Sequence, residues 1–118
     1  MANYERLYTM KFKDLYPNYV IKAEKKNRTQ DEVNHILSWL TGYTQQQLTT
    51  ILSSQMDVRT FFNNSPQFNE KASLITGVIC GVRIEEIEDL LMKKIRYFDK
   101  LIDELAKGKP MDKILRST

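Results

Sequence analysis

The stretch Trp39-Leu-Thr-Gly-Tyr-Thr-Gln-Gln-Gln-Leu48 constrains this chain more than any other. An apolar helical stripe at Val33, Ile36, Leu37 and Leu40 runs into Gly42, and glycine ends a helix in the left-handed conformation at least cost. Two residues later Thr44 and Gln47 stand at the spacing of a capping box, in which the side chains satisfy the free amides of a helix start. The preceding helix opens with the same device, Thr29 and Glu32. Such stops and starts turn one helix against the next, so a helix-turn-helix corner is expected. Ile79-Cys-Gly-Val-Arg-Ile-Glu-Glu-Ile87 reads the same way. An offset of 39 residues lays Gly42 on Gly81 and Leu48 on Ile87, which predicts a second corner and admits an internal repeat.

The apolar spacing predicts helices near 15–26, 29–41, 44–54, 70–80 and 84–107, the first capped by Asp14 with Pro17 in its opening turn. Asn69 is the expected cap of the fourth and Gly81 its end. The fold class is therefore all-α, a compact orthogonal helical bundle with two helix-turn-helix-like corners, in a single domain over 1–118. Residues 4–12 suit a short strand by the alternation of Tyr8, Met10 and Phe12, or one helical turn by Tyr4, Leu7, Tyr8 and Lys11, with the non-strand reading preferred. Beyond Gly108 and Pro110, the apolar Met111, Ile114 and Leu115 need cover, either from their own domain or from a neighbour.

Chemistry is narrowed by what the chain does not carry. It has one histidine and one cysteine, whereas metal and nucleophile sites need several donors converging. His35 reads as a surface or boundary residue and Cys80 as a small buried hydrophobe. The carboxylates Glu85, Glu86, Glu88 and Asp89 fit the first turn of a helix, where the dipole favours them. Gly77 to Gly81 lies in an apolar pattern and not between a strand and a helix, so no phosphate loop is read there. No catalytic residue, cofactor site or metal site is assigned. A start without a basic-then-apolar leader pattern and a lone cysteine point to the cytoplasm, and no apolar run is long enough to span a membrane.

Three function classes stay open. A non-enzymatic protein-interaction module, with an unknown protein partner or a second copy of itself, follows from the missing catalytic groups and the apolar tail. A nucleic-acid-binding protein follows from the corner spacing: Gln45, Gln46 and Thr49 would decorate an exposed second helix, with Lys25, Lys26 and Arg28 as a basic cluster. That helix carries no lysine or arginine, however, and phosphate contacts supply most of the affinity of such modules, so sequence-specific DNA binding is not expected. The net charge of +3 comes from 18 basic and 15 acidic residues that are interspersed and decides nothing. A small-molecule groove is the third class, edged by Trp39, Tyr43 and Arg83, because Tyr43 falls between the helix-stopping glycine and the next cap.

The strings Tyr-Thr-Met-Lys-Phe at 8–12, Tyr-Pro at 16–17, Arg-Thr at 28–29, Trp-Leu-Thr-Gly-Tyr at 39–43, Gly-Val-Ile-Cys-Gly-Val-Arg at 77–83 and Asp-Lys-Leu-Ile-Asp-Glu-Leu-Ala-Lys-Gly-Lys at 99–109 make the chain similar to small bacterial proteins grouped as domain of unknown function 2200. The resemblance covers nearly the whole length. It implies an α-helical domain and brings no activity. Members often carry proline where this chain has Leu90. The resemblance therefore implies a break in the long helix after Ile84, with Asp89 as the new cap.

Overall fold

A computed structural model of the chain describes residues 4–116; the first three residues, read above for a leader pattern, lie outside them. In chain order the elements are α1 (Glu5–Tyr8), α2 (Phe12–Glu24), α3 (Gln30–Thr41), α4 (Gln45–Leu52), α5 (Val58–Asn63), β1 (Val78–Ile79), β2 (Val82–Arg83), α6 (Leu90–Ala106) and α7 (Met111–Ile114), with single 3-10 turns at Glu70–Leu74 and Ile84–Glu86. The protein is mostly helical. Among the described residues no helix is long and apolar enough to cross a membrane.

Residues 4–12 take the helical alternative at α1, then a single antiparallel bridge pairs Lys11 with Asp57. Phe12 N donates to Met56 O and Val58 N to Met10 O. This bridge fixes the start of α2 three residues before the expected one, since Phe12 is fully buried and stacks on Phe61 at 3.7 Å. Pro17 consequently stands in the second turn of α2, where its missing amide costs a helical hydrogen bond. Phe62 packs edge-on to Phe61 at 5.0 Å, an arrangement favoured by the ring quadrupoles.

Both capping boxes form. Thr29 accepts from Glu32 N and Thr44 from Gln47 N, each with the reciprocal bond back to the cap. Gly42 ends α3 at φ +84°. The last carbonyls of α3 are then sealed by a distant segment: Gln67 N donates to Thr41 O, and Asn69 donates to Leu40 O through its backbone and to Trp39 O through its side chain. The seal lies so close that a Cβ on Gly42 would meet Gln67 N at 2.7 Å.

The second expected corner is not formed. Asn69 does cap, accepting from Lys71 N, but the turn after it is a 3-10 helix that stops at Leu74. Ile75, Thr76, Val78, Ile79 and Val82 are β-branched and favour extended backbone, and Gly77 interrupts the helical pattern. The chain makes a two-stranded antiparallel hairpin in register Val78 with Arg83 and Ile79 with Val82. Gly81 has positive φ as expected, yet it serves a hairpin turn and ends no helix. The predicted 84–107 helix starts properly only at Leu90. Asp89 caps it, accepting from Leu91 N and Met92 N, as the family resemblance implies.

α6 is the central element. It packs on α2, α3, α5 and α7, and buries Met92, Ile95, Phe98, Leu101, Ile102 and Leu105. The tail folds back onto it: Ile114 is fully buried, Leu115 nearly so, and Arg116 clasps Glu104 with two hydrogen bonds of 2.6 and 3.0 Å. The need of a neighbour to cover this tail is thereby removed.

Candidate functional site

Local sequence chemistry makes the hairpin. Cys80 and Gly81 lie at φ +53° and +78°, the two left-handed central residues that a type I′ turn requires. Ile84 N closes on Gly77 O at 2.9 Å, and Glu85 accepts the Gly77 amide at 2.8 Å. That bond is the main reason the Glu85 carboxyl is held below the usual glutamate range. Lys100, on α6, donates to Val78 O. Ile79 and Ile84 anchor the loop in the core, whereas Val78 and Val82 remain 51% and 39% exposed.

Beside the hairpin lies a shallow depression of about 530 Å³, walled by Tyr4, Val82 and Ile87 together with Arg83, Glu86, Glu88 and Asp89. Arg83 is 3.8 Å from Glu85, so its charge is partly answered within the loop. The depression therefore combines apolar walls with a net negative set of side chains. Below it the Tyr8 hydroxyl is buried without a well-formed hydrogen bond, against the Asp89 carboxylate. Burial first, and Asp89 second, push its pKa up to about 12. The Arg59 guanidinium sits over the Tyr8 ring at 5.3 Å from the centroid.

On the α6 side of the hairpin tip a polar cluster joins three elements. Tyr19, from α2, donates to one oxygen of Asp99, while Arg96 donates to the other at 2.8 Å and the Cys80 thiol lies 3.9 Å from it. Burial, reinforced by the Asp99 charge, raises Tyr19 well above the ordinary tyrosine value. Burial alone would lower Arg96, but its pairing with Asp99 overrides this and raises it. Both oxygens of Asp99 are engaged, so the cluster clamps the hairpin to α6 and α2. Cys80 is exposed, not buried as its apolar surroundings in sequence suggested, because the turn points it outward. Among the described residues no three His, Cys, Asp or Glu side chains converge to hold a metal.

The residues singled out from sequence do not assemble into one site. Tyr43 is 6% exposed, and its hydroxyl donates to Phe61 O at 2.7 Å; a tyrosine after Gly42 turns inward because that buried carbonyl needs a donor. Burial raises its pKa. Trp39 is half-buried against the core. Arg83 alone of the three reaches the depression beside the hairpin, so the expected Trp39, Tyr43 and Arg83 groove does not exist as one surface.

The nucleic-acid set is also divided. Gln45 is turned onto α3, donating to Ser38 Oγ at 2.7 Å and to Asn34 O, and the Thr49 hydroxyl donates back to Gln45 O. Gln46 is exposed. Arg28 pairs with Glu32 and donates to Leu105 O and Lys109 O, which makes it a brace between α3 and the end of α6. Lys25 and Lys26 are exposed beside Ile21, Lys22 and Lys107, in a depression of about 420 Å³ that includes no residue of α4. α4 itself carries no lysine or arginine with which to meet the phosphates of a duplex.

What sequence reading missed is the exposure of apolar side chains along 74–90: Leu74, Val78, Val82 and Leu90, with Tyr4, are five of the six large hydrophobic residues exposed among those described, the sixth being Ile21, and Tyr4 and Val82 of these line the depression. The signal was present as a two-residue Cys-Gly loop between β-branched residues, the pattern of a tight hairpin.

A sequence profile for a group described as uncharacterized protein conserved in bacteria (DUF2200) matches residues 6–116. Among solved structures, one titled as the crystal structure of uncharacterized protein SP1917 superposes with a TM-score of 0.92 at 41% identity, over 99% of this chain and 96% of that one. No curated protein matches the chain.

Proposed function

Because the chain belongs to the DUF2200 family of proteins conserved in bacteria, whose description carries no activity, its function rests on its surfaces, and we propose that it is a cytoplasmic, non-enzymatic protein-interaction module that docks its partner at the hairpin end. One observation carries this reading: the exposed Tyr4 and Val82 meet the half-buried Ile87 in a depression that Glu86, Glu88 and Asp89 also line. Exposed apolar patches framed by polar residues mark interaction sites on soluble proteins. An exposed thiol at Cys80 suits a reducing compartment. The side chains with displaced pKa values support the same reading, since they serve caps, ion pairs and buried hydroxyls. The partner surface that fits is an aliphatic side chain flanked by basic residues.

The test uses a synthetic peptide with isoleucine set between lysines. It is expected to bind the unmodified protein weakly. Glu86→Lys with Glu88→Lys, or high salt, should weaken it by about tenfold or more. Equal binding of a peptide with glutamates in place of the lysines would overturn the reading.

A further inference from the structure

The partner chemistry inferred above is present on the molecule itself, at the other end of α6. Ile21 is 50% exposed on α2 and shares a depression with Lys22, Lys25, Lys26 and Lys107. One carboxylate stands among these lysines, Asp103, and it is shared by Lys22 at 3.2 Å and Lys107 at 2.9 Å. Burial would raise Asp103, but the two ammonium groups outweigh it and hold the carboxyl below the usual range. The surface is thus an exposed aliphatic side chain, the Ile21 knob, on the wall of a shallow depression where lysines outnumber the one carboxylate. The hairpin end complements it in charge, with apolar side chains beside net negative ones.

The two ends are kept apart by α6, which runs from Asp89, at the hairpin depression, to Lys107, beside the knob. Its 17 residues span roughly 25 Å at about 1.5 Å per residue. That is about three Debye lengths at physiological ionic strength, so the ends of one molecule barely neutralise each other. Contact between two molecules would bring the same charges within a few ångströms.

We propose that a second copy of this chain docks at the hairpin depression, presenting its Ile21 knob and the neighbouring lysines to Val82, Ile87 and the carboxylates of Glu86, Glu88 and Asp89. The inference rests on the docking reading above and names its occupant. The two surfaces differ, so the contact is head to tail; it leaves a free knob and a free depression after each addition, and builds open chains unless rotation closes a ring. Each surface is small, so association is weak and driven by concentration.

Sedimentation of the full chain over a wide concentration range tests this. The expected result is a weight-average mass that climbs past the dimer as concentration rises and falls back toward the monomer when salt is raised. Two variants of exposed residues isolate the ends: Glu86→Lys with Glu88→Lys for the hairpin depression, and Ile21→Ser with Lys25→Gln and Lys26→Gln for the knob. Each alone should remain monomeric, and their mixture should stop at a one-to-one complex, because only one intact pair of surfaces remains. Circular dichroism of each checks that it is folded, and the salt series on the unmodified chain decides the question if either is not. A dimer that survives the knob variant would mean that hairpin meets hairpin and would overturn the proposal. A monomer at every concentration and salt would overturn it too; the lysine-flanked peptide then separates the cases, since its binding preserves the docking reading with a foreign partner and its failure ends both.

Discussion

Residues 29–52 and 69–91 carry nearly the same spacing of apolar positions around a glycine, yet one becomes two capped helices and the other a 3-10 turn, a hairpin and a late helix start. The glycines make the contrast plain. At Gly42 the left-handed conformation ends a helix whose carbonyls are then sealed by Gln67 and Asn69. At Gly81 the same sign of φ turns a two-residue loop with nothing within 4 Å of where a Cβ would stand. Apolar spacing specifies which residues are to be buried. Capping boxes and β-branching decide the backbone that buries them.

The largest test of the contrast is alanine at each glycine. Gly42→Ala combines left-handed strain with overlap on the Gln67 backbone and should cost about 2 to 4 kcal/mol. Gly81→Ala meets only the strain, about 1 kcal/mol. Denaturant unfolding of the two variants measures both; equal losses would mean that the seal on α3 contributes nothing.

Tyrosine burial comes next. Removing the Tyr43 hydroxyl as Tyr43→Phe leaves Phe61 O with only the long 3.5 Å contact from Ser65 Oγ and should cost about 1 to 2 kcal/mol. Val82→Thr, on the exposed hairpin, should stay within about 0.5 kcal/mol. If the hairpin substitution proved the costlier, the hairpin would be a folding element and not a surface presented to a partner.

A third test uses acid. Glu32 is held below the ordinary glutamate value by its hydrogen bonds to Arg28, against the opposing effect of burial, with help from the Thr29 amide. A carboxyl lowered in the folded state adds stability that is present above its unfolded value near pH 4.3 and is lost as pH falls through the folded one. Glu32→Gln should therefore cost about 1 kcal/mol at neutral pH and flatten the acid limb of a stability curve. Glu85 is shifted in the same direction on the hairpin but is fully exposed, so Glu85→Gln should change that limb much less.

The smallest effect is expected at Leu90. It is the first residue of α6, 74% exposed, and the Asp89 cap bonds the two amides after it. Asp89 already has the extended backbone that a following proline demands. Leu90→Pro should leave stability unchanged or raise it by about 0.5 kcal/mol. A loss above 2 kcal/mol, followed by thermal unfolding, would show that the helix begins earlier than Leu90.

The corner was legible because its signals are local. Thr29 with Glu32, Gly42, and Thr44 with Gln47 each act within a few residues. The hairpin was misread because Ile75, Ile79 and Ile87 fall at spacings that suit either structure, and a Cys-Gly loop is a fainter turn signal than Asn-Gly. The inward turn of Tyr43 depends on a carbonyl 18 residues away, and the clamp at Asp99 on residues from three separate elements. Nothing in local sequence announces either. The break before α6 followed from the family resemblance and not from periodicity, which runs through Asp89 without a gap.

The pairing of Tyr19 with Asp99 and of Arg28 with Lys109 spans about 80 residues each. Ribosomes add roughly 5 to 20 residues per second, so α2 waits on the order of 4 to 16 seconds before its α6 partner has been made. During that interval the nascent chain can close α2 only on α3, α4 and α5. A pause placed before codon 90 would lengthen the time that the aromatic face of α2 spends without its α6 partner.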